Sequence, residues 1–221
     1  DTELREGALG RLTEAARRPQ VGLVGPKLLF PDGRLQHSAF RYPDLWQIFL
    51  DLFPLHPRLL ESGLNGRYPH RLYERGEPFL IDHPLGAAMM TDRSVVEAVG
   101  GLDPGFFMYC EEIDWSLRIR RAGYQVLCHP GAKVVHHVAQ ATSQSPGEMY
   151  VALHRSRFRL YGKHYGRTFQ RMARIIVAAG MRWSLFRTWR AVRSGKLVLA
   201  EGGDQARTYR EVLGLLAASE S

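Results

Sequence analysis

The strongest apolar pattern in the first third of the chain is the near-continuous run Val21-Gly-Leu-Val-Gly-Pro-Lys-Leu-Leu-Phe30, which predicts a short buried strand and its exit. Pro31-Asp32-Gly33 supplies the turn after it. Ahead of the run, Asp1 or Thr2 is placed to cap a helix reaching about Arg17, with Glu3 and Glu6 at the positive end of its dipole. Residues 41–78 lose periodicity and are rich in Pro, Arg, His and aromatics, with a short helix expected near 44–53. So long an irregular stretch reads as a functional loop. Ile81 to Thr91 reads as a strand interrupted by Gly86-Ala87-Ala88, small residues that let backbone or ligand come close.

Ser94–Val99 predicts a short helix stopped by Gly100-Gly101. Glu111–Ala122 predicts a cleaner one: acids in its first turn, basic residues in its last, and Gly123 in the position that ends helices. Gln125–Cys128 and Lys133–His137 read as two short strands separated by His129-Pro130-Gly131. From about Gly147 the pattern turns helical to Arg193, breaks at Ser194-Gly195 and closes with a helix after Gly202-Gly203. The pattern divides into an α/β part over 1–146 and a helical, basic part over 147–221, with no internal repeat.

Composition adds limits. At 221 residues, 45% hydrophobic and 24% charged, the chain can bury a sizeable core. Cys110 and Cys128 form neither a disulfide framework nor a metal-binding Cys pair, which points to a reducing, cytoplasmic setting. No apolar run reaches the roughly 20 residues that span a bilayer. A start at Asp1 without Met leads us to expect a piece of a longer polypeptide. The net charge of +8 favours polyanionic partners, and the basic residues concentrate in 154–193.

Candidate chemistry centres on Phe106-Phe-Met-Tyr-Cys-Glu-Glu-Ile-Asp-Trp-Ser-Leu-Arg118, where an aromatic-rich approach delivers Glu111, Glu112 and Asp114 to a helix start. Crowded carboxylates raise one another's pKa, which suits a general base; the same residues also suit an ordinary acidic helix start with solvated charges. Asp114 and Arg118 can pair at i, i+4 on the face of Glu111, so Glu112 points elsewhere, toward a cleft. At the end of the last expected strand, His136 and His137 face opposite sides. One of them can be a divalent-metal ligand or a hydrogen-bonded structural residue.

Taken in order, Val21-Gly-x-Val-Gly-Pro-Lys-Leu, Pro31-Asp32-Gly33-x-Leu-Gln, Gly86-Ala-Ala-Met, Gly101-Leu-Asp-x-x-Phe-Phe-Met-Tyr-x-Glu-Glu-x-Asp-Trp-x-x-Arg118, Gly123-Tyr and Val134-Val-His136 resemble family-two glycosyltransferases. The similarity covers roughly residues 1–165 and is greatest to the rhamnosyltransferase-like enzymes of bacterial surface polysaccharides. It implies a partial GT-A-like α/β fold, with a mixed sheet, flanking helices and a helical C-terminal extension. The implied reaction is inverting transfer from a dTDP- or UDP-linked sugar, with Mg²⁺ or Mn²⁺ on the diphosphate. By the same resemblance Asp1, followed by Thr2-Glu3 and Gly7, is a metal ligand on the donor side. His136 assists the metal, and Thr142 lies on the nucleotide-sugar side. Glu112 stands where the family has an Asp as base; Glu keeps the proton-abstracting group one methylene further out, with Glu111 and Asp114 as alternatives. Asp82, Gly86, Ala87 and Trp115 are expected on the acceptor side, and the family's nucleotide-binding half is expected upstream of Asp1.

The basic segment 154–193 interleaves arginines with Phe, Tyr, Ile and Trp, which fits helices on an anionic membrane surface or an apolar stripe packed on the catalytic part. A glycan or polyprenyl-diphosphate-linked acceptor at the inner face of the plasma membrane accords with the former. Without a zinc-finger, RNP or helix-turn-helix pattern, no nucleic-acid partner is expected. The competing reading is a catalytically silent membrane- or polyanion-binding module derived from the same fold.

Overall fold

The computed structural model describes residues 1–137 and 145–217. In chain order the regular elements are β1 (Thr2–Leu4), α1 (Ala8–Ala16), β2 (Val21–Leu29), β3 (Leu35–Gln36), β4 (Ala39–Phe40), α2 (Leu45–Leu52), α3 (Pro57–Leu60) and α4 (His70–Glu74). They continue with β5 (Phe79–Leu80), β6 (His83–Pro84), α5 (Arg93–Val99), α6 (Glu111–Arg121), β7 (Gln125–His136), α7 (Pro146–His164), α8 (Arg167–Arg193) and α9 (Leu199–Ala217). These residues form two compact units. One comprises Asp1–Pro43, Glu61–Gly105 and the stretch from Glu111 through β7; the other comprises Asp44–Leu60, Phe106–Cys110 and the C-terminal helices.

The first unit is built on a mixed sheet. β7 runs parallel to β2 on one side and antiparallel to β1 and β5 on the other, and β3 pairs antiparallel with β2. Alternation along β7 sends Val126 and Cys128 into a core with Leu23, Trp115 and Ile119. Leu127 and Ala132 go to the other face, against Ala8, Leu12, Ala15 and Ala16 of α1. The sheet is therefore covered on both faces, which explains the unbroken burial of β2 from Val21 to Pro26. This is the mixed α/β sheet with flanking helices that the sequence led us to expect.

Three local expectations change. The first helix begins at Ala8, after Gly7 in the left-handed region (φ 72°), because residues 2–4 instead pair with β7 at its edge. Glu3 accordingly meets His137 at 2.8 Å and does not serve a helix start. Within 81–91 only His83–Pro84 is strand, paired with β4; Met90 adds an isolated bridge to Val24. The two short strands near the C-terminal side of the sheet are one, β7, which crosses His129-Pro130-Gly131 with a shift in its register against β2.

The irregular 61–78 stretch is tied to this unit by Tyr73, whose buried hydroxyl accepts from the backbone N–H of Ser38 (3.2 Å) and Ala39 (2.9 Å). In the second unit α2, started by Asp44 accepting from Gln47 N–H at 2.7 Å, packs on α8, where Gly180 lets the Leu52 side chain approach closely. Arg157 of α7 reaches Asp51 at 2.6 Å, and Ser156 donates to the Met108 carbonyl at 2.6 Å. The helical tail also breaks at Tyr165, whose extended backbone ends α7. Gly202 and Gly203 lie inside α9, with Gly202 against Val192. Among the described residues no helix is long and apolar enough to cross a membrane.

Candidate active site

Gly22, at the start of β2, packs against Ile119, late in α6. The start of α6 therefore lies toward the carboxyl ends of β2 and β7, the edge at which open α/β sheets bind their ligands. The two residues before α6, Tyr109 (φ 69°) and Cys110 (φ 66°), both take the left-handed region, which costs non-glycine residues about 1–3 kcal/mol each. Backbone held in so uncommon a conformation is concentrated at functional sites.

Glu112 is the group set apart. Its side chain is only 9% exposed, and burial, with the Glu111 carboxylate beside it, pushes its carboxyl up to about 7. Its own backbone amide and that of Ile113 oppose the rise. A carboxyl poised near neutrality accepts a proton with little bias either way, the property a general base needs. Gly86, exposed in a turn after β6, faces it: a Cβ on the glycine would stand 3.7 Å from Glu112 Cβ and 3.8 Å from Cγ and Cδ. Glu111 is half-buried, and its Oε2 is enclosed without a hydrogen-bond partner among the described residues. Ala87 follows Gly86 in the same turn.

Asp114 and Trp115 of the motif hold the fold. Asp114 is fully buried and accepts from Arg118 Nε at 2.9 Å. Arg118 then donates to the carbonyls of Val99 (2.9 Å) and Gly101 (2.7 Å), and Trp115 Nε1 to that of Gly100 (2.8 Å). Three consecutive carbonyls at the end of α5, Val99 to Gly101, are thus satisfied by two side chains of α6. Trp115 packs into the core, which leaves its ring little surface for an acceptor. Asp82 accepts from the Tyr42 backbone N–H at 3.0 Å. His83 beside it is buried between Phe40 and Tyr42, and burial pushes its imidazole down to about 4, so it is neutral at pH 7.

Asp1 and His136 do come together: the Asp1 carboxylate lies 3.6 Å from His136 Nε2. His136 Nδ1 faces Gln36 Oε1 at 3.1 Å. The tautomer that satisfies this contact has Nδ1 donating, which leaves the Nε2 lone pair toward Asp1. Two acceptors facing each other at that spacing suit a cation between them, and an imidazole whose other nitrogen is held by an acceptor is the usual ligand arrangement. Burial also pushes the His136 pKa down, which keeps the ring in the ligand-competent neutral form. The donor set fits a divalent ion in part: no group of three His, Cys, Asp or Glu suited to a metal stands together among the described residues. Thr142 lies outside the described residues. Gln36 was not singled out as a site residue from sequence; the only signal was its place at the end of the Pro31-Asp32-Gly33-x-Leu-Gln motif.

No family model matches the chain. It is 32% identical over 165 residues to N-acetylglucosaminyl-diphospho-decaprenol L-rhamnosyltransferase of Mycobacterium tuberculosis, a match covering 72% of this chain and 51% of that protein. It is 30% identical over 131 residues to the O-antigen biosynthesis protein RfbC of Myxococcus xanthus, covering 58% of this chain and 10% of that one. With rhamnosyltransferase WbbL of Escherichia coli it shares 36% identity over 58 residues, 26% of this chain and 22% of the relative. The chain spans about half the length of the mycobacterial relative.

Proposed function

This chain belongs to the rhamnosyltransferase-like glycosyltransferases, and from that premise we propose that it carries the acceptor-side part of an inverting sugar transferase in bacterial cell-surface glycan synthesis. The observation that carries the reading is the buried Glu112 carboxyl, raised to about 7, at the start of α6 and under the backbone of Gly86. In its ionised form Glu112 removes the proton from the acceptor hydroxyl as that oxygen attacks the anomeric carbon. The sugar–phosphate bond breaks in the same displacement, so configuration inverts. Glu111 holds the Glu112 pKa up by its charge. Gly86 and Ala87, having little or no side chain, leave room over the carboxylate for the hydroxyl's approach.

Asp1 and His136, with Gln36 behind the imidazole, are the residues that would hold Mg²⁺ or Mn²⁺. Such an ion, when bound, neutralises charge on the departing nucleoside diphosphate. The donor is a dTDP- or UDP-linked sugar, rhamnose among them, and the acceptor a glycan on a polyprenyl diphosphate. The last point follows the mycobacterial relative, whose name specifies a decaprenol-diphosphate-linked acceptor.

The test is transfer to a lipid-linked N-acetylglucosamine acceptor by the intact protein and by Glu112→Gln. The variant should fold and bind nucleotide as before, with turnover reduced about 10²–10⁴-fold. Near-normal turnover in the variant sinks the assignment. A folded, nucleotide-binding wild type that never transfers sugar favours the silent-module reading.

A further inference from the structure

We propose that the outward face of α8 is a docking surface for an anionic lipid bilayer. At 3.6 residues per turn, Met172, Ile175, Trp183, Phe186 and Trp189 fall on one side of this helix. The opposite side is the buried line of Ala173, Val177, Gly180 and Met181. All five outward residues are exposed, from 41% for Met172 to 61% for Ile175. They form a stripe about 25 Å long, and monomeric proteins seldom leave so extended an apolar patch facing water.

Charge decides what the stripe fits. α8 contains seven arginines and no acidic residue. Arg182, Arg190 and Arg193 lie on the same side as the aromatics. The Arg190 guanidinium sits 5.8 Å from the Phe186 ring centre and that of Arg193 5.4 Å from Trp189. The rings themselves follow one another along the helix, Trp183 to Phe186 at 5.8 Å and Phe186 to Trp189 at 6.0 Å. Cations at the level of indole and phenyl rings match a headgroup layer, where Trp is favoured and arginine meets phosphate while its stem lies on apolar surface. A second copy offering the same face would set arginine against arginine, so the stripe does not close on itself. Nucleic acid would satisfy the arginines but has no apolar counterpart for Met172 and Ile175, whereas acyl chains do.

The proposal gives the lipid-linked acceptor reading a place to act, and it rests on that reading for its purpose only. Its test needs no sugar transfer. The whole chain is sedimented with vesicles of phosphatidylglycerol in phosphatidylcholine and with phosphatidylcholine alone. Expected are binding to the anionic vesicles, weakening with salt, and quenching of tryptophan fluorescence by lipids brominated at shallow acyl positions. Reversing Arg182, Arg190 and Arg193 to Glu should lower partitioning on the order of a hundredfold. Replacing Trp183, Phe186 and Trp189 by Ser should abolish quenching. The substituted side chains are exposed, so melting should stay as in wild type, and the quenching measurement needs no variant. Glu112→Gln should bind vesicles like wild type, which separates this outcome from the fate of the transferase reading. The proposal is overturned if anionic vesicles do not bind or quenching is absent. Loss of vesicle binding to duplex DNA competing through the same aromatics, or dimers dispersed by the Ser variant, overturns it equally.

Discussion

Gly86 faces Glu112 at a spacing that a single methyl group would fill: a Cβ on the glycine would stand in ordinary contact with the Glu112 side chain, 3.7–3.8 Å away. Gly86 is exposed and has no left-handed backbone to protect, so substitutions there act on the space above Glu112 and not on folding. Gly86→Ala should retain most activity. Gly86→Val, whose branches cannot all avoid the carboxylate or the approaching hydroxyl, should lower kcat/KM at least about tenfold with an unchanged melting curve. Steady-state kinetics beside a thermal melt checks both.

The raised Glu112 pKa makes a paired forecast for pH. Transfer needs the ionised form, so kcat/KM should rise with pH through an inflection near 7. Stability runs the other way. The folded state holds a proton on Glu112 up to about pH 7, while the unfolded chain releases it near the ordinary glutamate value of 4.5. Folding free energy is therefore lost as pH climbs between those values, by about 3 kcal/mol in all. Glu112→Gln, with nothing to ionise, should become progressively more stable than wild type from pH 5 to 8; denaturant titrations across that range measure it.

Arg118→Met removes the Nε–H bond to buried Asp114 and the donors to the Val99 and Gly101 carbonyls together. We expect a loss of about 3 kcal/mol, with Arg118→Lys recovering little because an ammonium cannot reproduce the planar fork. Chemical denaturation of the three proteins gives the comparison, and a loss below about 1 kcal/mol for Met contradicts it.

Gln36→Leu leaves His136 Nδ1 without the acceptor that fixes its tautomer. The Mn²⁺ concentration giving half-maximal transfer should rise about 10–100-fold, with activity at saturating metal nearly restored. A metal titration of the intact enzyme reads this directly, and an unshifted midpoint removes Gln36 from the metal side.

Much of the local architecture was legible because its causes are local. α6 announced itself by acids in its first turn, arginines in its last and Gly123, which does take the left-handed region (φ 91°). α2 was legible as a short helix near 44–53, where six of the eight residues of Leu45–Leu52 are apolar, and β2 from its apolar run. β1 was not, because Thr2–Leu4 is an exposed triplet with no strand pattern of its own. It is extended only since β7, some 130 residues later, offers an edge to pair with. The helical Gly202 likewise depends on packing between helices, against Val192 of α8.

The same division holds at the site. The sequence by itself determined which carboxylates crowd at the start of α6, that Asp114 and Arg118 can pair, and which residue types could face a diphosphate or metal, since spacing along one helix or strand fixes those relations. Only the tertiary structure decided that Glu112 is buried beside the Glu111 carboxylate, that Trp115 is spent on the Gly100 carbonyl, and that Gln36 stands behind His136. A pKa is set by how much water and which charges surround a group, and these come from segments distant in sequence that only the folded chain brings together.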